Sequence, residues 1–545
     1  MKKNLIAGFL SIALLLPSVG FAQAVKISSD EKKMADEITA GQLSNYLYFV
    51  ASDAMGGRDT PSYGLDVTAE FLKMNLHKWG FKGAGDNGTF FQKMEMVRPK
   101  IKTAATTLTV GGQQLAYGTD FLPAVTAGSV QNAGLVFAGN GWFVKSKDLD
   151  PYKGLDVKGK IVVLSGEGIP RGMTFQQLNA SGQRGVDWID PATYARQSGA
   201  VGIITLATAQ STTNWERTKR QRETGGGFYV EKLREAGASI PSVILSQKAS
   251  ENLLAGESTD LAKIGATTGG PVASFAFADS KTASISVVTD FDRVTTQNVV
   301  ALWEGSDPVL KNEMVAVGAH YDHVGTNPNA PGEDKIWNGA DDDGSGTVAV
   351  LSIAEALAKA KVRPKRSILF VWHAGEEKGL VGADYFNKFP TVNIKNVITQ
   401  LNIDMIGRSK KEGDTNPKNK DLSGENAIYV IGSEMMSSTL GAITKGTNDA
   451  FLKMNYDYRY DDPKDTNRFF FRSDHFHYAQ NGIPIVFWFD GVHEDYHQPT
   501  DHPDKIDYQK MEKVARTIFL TMWELSDLKE RPKIDKQLPP ELTQR

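Results

Sequence analysis

From residue 298 to about residue 525 the chain repeats one pattern, an apolar run followed by a helical period. The runs 314–317, 368–372, 397–403 and 483–489 alternate with helical stretches near 345–361, 381–388 and 509–525. Runs this apolar belong to strands buried on both faces, which need helices above and below them. The expected fold class is therefore α/β, a mostly parallel mixed sheet with helices on both faces. No internal repeat interrupts this rhythm.

The first 300 residues read differently. Lys2 and Lys3 precede an apolar run over 5–16, Pro17 breaks it, and Gly20, Ala22 and Ala24 are small. That is the form of a signal peptide over residues 1–22, and its apolar core is too short to span a bilayer. An exported protein, periplasmic or extracellular and without a stable membrane anchor, is expected. Residues 30–51 read as one amphipathic helix. A glycine-rich break follows at Met55, Gly56, Gly57 and Arg58, and then a second helix over about 65–79. From about residue 97 the texture turns to β-like runs rich in glycine, with strands at 161–164, 201–206 and 242–245. Residues 179–227 look partly like an exposed loop. The end of the chain is a polar tail.

Composition narrows the chemistry. The 61 Lys and Arg against 64 Asp and Glu give a net charge of −3, so a uniformly basic nucleic-acid binder is excluded. There is no cysteine, which removes disulfides, thiolate nucleophiles, iron–sulfur clusters and cysteine zinc sites together. Any metal must be held by His, Asp and Glu. Eight of the nine histidines lie at or after His320, far more than an even scatter would place there. His320 and Asp322 follow one apolar run, Glu376 and Glu377 a second, Asp404 a third, and His497 lies in the loop after the fourth. Open α/β sheets place their sites at these carboxyl ends. Asp341, Asp342 and Asp343 precede a helix, where acidic residues also serve as caps. Capping does not explain Asp404, a carboxylate at the mouth of a buried strand, nor the adjacent pair Glu376 and Glu377, which repel unless a cation sits nearby. Two imidazoles and several carboxylates suit zinc, manganese or cobalt.

The strings GAHYDHVG, NGADDDGSG, HAGEEKGLVGADYF, NIDMIGR and YHQPTD resemble, in order, five blocks of the di-zinc aminopeptidase family, whose clan includes glutamate carboxypeptidase and transferrin receptor. VKGKIVVL, ARQSGAVGIITL and IPSVILS resemble a protease-associated domain. The resemblance implies a peptidase domain in two parts, 23–99 and 291–530, an inserted β-rich protease-associated domain over 100–290, and a polar tail over 531–545. It further implies two zinc ions. His320 and Asp404 would be terminal ligands of one, Glu377 and His497 of the other, and Asp342 would bridge both, with Asp341 and Asp343 as alternatives for the bridge. Asp322 matches the carboxylate that orients His320, Glu376 the general base, and Tyr496 a hydroxyl that steadies the tetrahedral intermediate.

The implied reaction is hydrolysis of peptide bonds from the amino end. A substrate ammonium needs carboxylates near the metals, whereas a substrate carboxylate needs Arg or Lys. Residues 484–497 contain neither and carry Asp490, Glu494 and Asp495. Arg468 and Arg472, next to Phe469, Phe470 and Phe471, keep a glutamate-type carboxypeptidase as the alternative. A glutaminyl cyclase relative and an inactive binding homologue are further alternatives. At least one of Phe487, Trp488 and Phe489 is expected to be plain core.

Overall fold

A computed structural model describes residues 25–166, 168–170, 172–234, 239–265, 272–538 and 542. The expected signal segment 1–22 lies outside them, as does part of the tail. The chain divides into two compact units, one of residues up to 94 and from 296 onward, the other of residues 95–295.

In the first unit the strand Met314–His320 runs parallel to Ser367–His373 on one side and Val397–Ile403 on the other. Ile485–Phe489 continues the parallel order beyond Val397–Ile403. Antiparallel neighbours then close both flanks: residues 299–303 pair with Ser367–His373, and Ala427–Ile431 with Ile485–Phe489. Every residue of the three central strands is buried, as their largely apolar sequences predict, and the polar Thr399 and Asn402 are buried with hydrogen-bond partners, the Pro484 carbonyl and Ser473.

Alternate side chains of these strands face opposite helical layers. Met314, Ala316, Leu369 and Val371 share one core with Phe386, Phe476 and Tyr478 from the helices Val381–Lys388 and His475–Gln480. The helices Gly346–Lys359 and Tyr508–Asp527 pack on Met314–His320 and contribute nothing to that core. Gly346–Lys359 is buried from Gly346 to Leu357 apart from Glu355, so it is apolar nearly all round. The sheet is thus mixed, mostly parallel and covered on both faces.

The second unit has its own mixed sheet. Gly128–Phe137, Ile161–Leu164, Gly202–Thr205 and Ser242–Leu245 are successive parallel neighbours, and antiparallel strands flank them.

Two local expectations need correction. Residues 30–51 form two helices, Ser29–Ala35 and Ala40–Val50, because Thr39 starts the second with a capping box. Residues 179–227, expected partly as loop around a strand at 201–206, hold that strand as Gly202–Thr205 and also include the helices Pro191–Gln197 and Trp215–Thr224. Asp190 capping a helix with Pro191 in its first turn was the overlooked signal. Among the described residues, no helix is long and apolar enough to cross a membrane.

The Thr39 cap is testable. Its hydroxyl accepts from Gln42 N–H at 3.2 Å, and Gln42 Oε1 accepts from Thr39 N–H at 3.4 Å. The helix it starts buries Leu43, Leu47 and Val50. Thr39→Ala is expected to cost about 1 kcal/mol in urea unfolding, and Thr39→Ser much less. An unchanged midpoint for Thr39→Ala would contradict the cap.

Candidate metal centre

Parallel pairing brings the strand ends to one level. His320 is the last residue of its strand and Asp404 directly follows Val397–Ile403, so His320 Nε2 lies 3.7 Å from Asp404 Oδ1. The loop leading into the helix Gly346–Lys359 supplies Asp342, whose two oxygens point in two directions. Oδ1 lies 3.3 Å from His320 Nε2 and Oδ2 lies 3.0 Å from His497 Nε2. Glu377, after Ser367–His373, sets Oε1 3.1 Å from His497 Nε2 and 2.9 Å from His323 Nδ1. Two donor groups result, His320, Asp343 and Asp404 in one and His323, Asp342, Glu377 and His497 in the other. Asp342 reaches both.

The aspartate triplet is divided by its hydrogen bonds. Asp341 is turned away, with Oδ1 accepting from Gly407 N–H at 2.7 Å and Oδ2 lying 3.1 Å from His493 Nε2. Asp343 Oδ1 accepts from Gly346 N–H at 2.8 Å and Met405 N–H at 3.1 Å, while its Oδ2 is buried without a partner. His323 and Asp343 are therefore members of the cluster that sequence reasoning did not select. His323 had a signal, since it lies three residues after His320 in GAHYDHVG.

Asp322 sits behind this layer, fully buried. It accepts from Thr60 Oγ1 at 3.0 Å and from Glu376 N–H at 3.1 Å. His320 Nδ1 lies 3.1 Å from the Asp322 carbonyl and 3.5 Å from its carboxylate, so the nearer oxygen is the main-chain one. Glu376 Oε2 lies 4.0 Å from His320 Nε2. The Tyr496 ring stacks on His497 with centroids 4.0 Å apart, and its hydroxyl accepts from Arg472 at 3.3 Å.

A cavity of about 30 Å³ opens beside the cluster. Asp342, Glu376 and Asp404 share its wall with Met405, Phe469, Phe487, Phe489, Val492, Arg472 and Tyr496. Phe487 and Phe489 thus line the cavity, while Trp488 is buried and donates to Tyr456 Oη at 3.3 Å. Arg468 does not line this wall.

Charge balance bears on what the cluster can hold. Burial opposes charge on His320, yet Asp404 and Glu376 keep its imidazole protonated well above the ordinary range. Burial likewise opposes charge on His497, but Asp342 and Glu377 lift it to about 10. Burial would raise Asp342, and His320 and His497 hold it well below the usual carboxylate range. Glu376 goes the other way: burial, reinforced by Asp404, Glu377 and Asp474, pushes it well up against the opposing effect of His320. Imidazolium groups thus serve as counter-charges, a place that divalent cations would take with release of protons. The buried atoms His320 Nε2, His323 Nδ1, Asp342 Oδ2 and Glu377 Oε1 lie at ion-pair distance from facing groups yet make no aligned hydrogen bond, and His323 Nε2 and Asp343 Oδ2 have no hydrogen-bond partner. Orphaned buried atoms of this kind need a reason. Convergent imidazole and carboxylate donors without a thiolate fit a hard-to-borderline cation.

Comparison with known proteins agrees with this location. Residues 298–522 match Peptidase family M28, a segment that contains all five sequence blocks. A probable leucine aminopeptidase of Arthroderma otae is 30% identical over 229 residues, 40% of this chain and 56% of that protein. Leupeptin-inactivating enzyme 1 of Streptomyces exfoliatus is 35% identical over 114 residues, 21% of this chain and 23% of that protein. The matches thus span only about a quarter to just over half of these relatives. Among solved structures, the aminopeptidase from Aneurinibacillus sp. strain AM-1 aligns over 94% of this chain and 98% of its own, with a TM-score of 0.48 and 17% identity. Through residues 298–522, the chain carries a Peptidase family M28 domain.

Proposed function

We propose that this chain is an exported di-zinc aminopeptidase that releases residues from the free amino end of peptides. The observation that carries the reading is Asp342, one carboxylate directed at two donor groups inside the matched peptidase segment. In this reading His320 and Asp404 would hold one zinc, Glu377 and His497 the other, and Asp342 both. His323 and Asp343 lie against these ligands as close neighbours. Export is supported by Lys2, Lys3 and the apolar run after them. A protease-associated insert over 100–290 is supported by the separate compact unit 95–295.

When bound, a zinc pair supplies a water of lowered pKa and polarises the scissile carbonyl. The chain's own groups do the rest. Glu376, a buried carboxylate of raised proton affinity on the cavity wall, takes the proton of the attacking water and delivers it to the departing amine. Tyr496 donates its hydroxyl to the developing oxyanion. Asp322 ties Glu376 to the His320 loop through the Glu376 N–H and steadies His320 by its carbonyl. Asp342, Glu376 and Asp404 on the cavity wall suit a substrate ammonium, and no Arg or Lys occurs in residues 484–497. A glutamate-type carboxypeptidase is the second reading, favoured by one observation: Arg472 lies on the same wall.

Three measurements test this. Metal analysis is expected to find two zinc equivalents per chain, both lost in Asp342→Ala and mainly one lost in Glu377→Ala or Asp404→Ala. At most one equivalent in the zinc-supplied protein would refute the two-ion site. Glu376→Gln should keep its metal and lose at least about a hundredfold in kcat, whereas loss of metal would make Glu376 a ligand. Leucine amide with a free amine should be cleaved and its N-acetyl form should not. Preference for an N-acyl glutamate substrate would transfer the case to the carboxypeptidase.

A further inference from the structure

The glycine-rich break around Gly57 and Arg58 has no part in the reaction above, yet residues 57–60 touch the loops of His320, Asp342 and Glu377 directly and reach the His497 loop through Trp337. Arg58 is fully buried. Its guanidinium donates to four carbonyls: Tyr321 at 3.0 Å, Val50 and Asn338 at 2.7 Å each, and Gly339 at 2.8 Å. Tyr321 lies between His320 and Asp322, and Asn338 and Gly339 lead into Asp342. The Arg58 carbonyl accepts from His323 N–H at 3.1 Å, and the Gly57 carbonyl from Gly325 N–H at 3.1 Å. Gly325 in turn accepts from Trp337 N–H at 3.0 Å, and the Trp337 indole donates to the His497 carbonyl at 3.0 Å. His497 has a left-handed backbone, φ 54°, so this bond holds a conformation that L-residues adopt rarely. Asp59 pairs with Lys378, next to Glu377, at 2.6 Å, and Thr60 donates to Asp322. Close approach also explains the glycine: Gly57 has φ +70°, and a Cβ there would stand 2.4 Å from the Gly325 carbonyl oxygen and 2.5 Å from that of Trp337.

We infer that residues 57–60 form a positioning strap for the metal centre, holding the loops of His320, Asp342, Glu377 and His497 in register before any cation arrives. The inference rests on the reading of those four residues as ligands. Arg58 acts through main-chain carbonyls and Thr60 through Asp322, so both are positioning residues. A planar fork with five N–H donors can serve several fixed carbonyls at once, which a lysine ammonium cannot match. Outer groups of this kind typically change metal affinity ten- to a hundredfold when removed.

The test compares zinc affinity, by competition with a chromogenic chelator, with the Tm of metal-free and zinc-loaded protein. Wild type, Arg58→Lys and Thr60→Val are measured side by side. A strap predicts that both variants lose about ten- to a hundredfold in zinc affinity and that the zinc-dependent rise in Tm shrinks with it. A merely structural role predicts lower Tm in both states with zinc affinity unchanged, and that result overturns the inference. Should Arg58→Lys fail to fold, Thr60→Val, which removes one hydroxyl, decides the matter alone by the same two readouts. A wild-type chain whose Tm and chelator competition do not respond to zinc overturns the ligand reading itself, a failure distinct from normal wild-type binding with unaffected variants.

Discussion

Acids and imidazoles crowded together at the carboxyl edge of the central sheet are the feature on which the rest of the first unit depends. Three fully buried parallel strands bring His320, the Glu376–Glu377 loop and Asp404 to one level, and the loops after them add Asp342 and His497. Burying a carboxylate costs several kcal/mol unless it is paired. Imidazoles face the acids in front, and behind them Asp343 Oδ1 is held by the N–H groups of Gly346 and Met405. The strands could not end in such residues without loops shaped to receive them.

The layer behind the cluster explains the aspartate triplet. Asp341 belongs to a separate buried network with His493, Arg408 and Asp495. Asp501 accepts the N–H groups of both Asp341 and Asp342, at 3.0 and 3.2 Å. Lys510, also buried, donates to the Arg408 carbonyl and to Ser423. The three adjacent acids therefore differ: Asp341 anchors the loop, Asp342 reaches both donor groups, and Asp343 closes the helix start with one oxygen while belonging to the His320 and Asp404 group.

Much of this was legible in sequence because it follows from local periodicity. Largely apolar runs marked the central strands and a helical period the helices between them, and Val397–Ile403, Val381–Lys388 and Ile161–Leu164 have the bounds read from sequence. His320, Glu377, Asp404 and His497 were visible because each follows such a run, whereas Asp342 was singled out from its triplet only by the family resemblance. Features that need three-dimensional proximity were not visible. His323 had the right spacing but no strand end of its own. The strap at residues 57–60 reaches partners more than 260 positions away, and no periodicity encodes that distance. Thr39 was overlooked for a different reason, since a capping residue inside an amphipathic stretch leaves the apolar stripe intact while stopping one helix and starting another.

The strand Ile485–Phe489 has a consequence for how the cavity can change its shape. Its side chains alternate, so Phe487 and Phe489 border the small cavity while Trp488 lies away from it. The same two phenylalanines also belong to the core that includes Phe469 and Phe476. Cavity wall and core are thus built from shared rings. Trimming either ring to admit a bulkier residue opens a void in the interior, and a Phe to Ala change in a packed core costs about 3–5 kcal/mol. Enlarging the cavity would therefore need stability gained elsewhere first, or widening from the loop side at Val492, which packs only at the margin of that core.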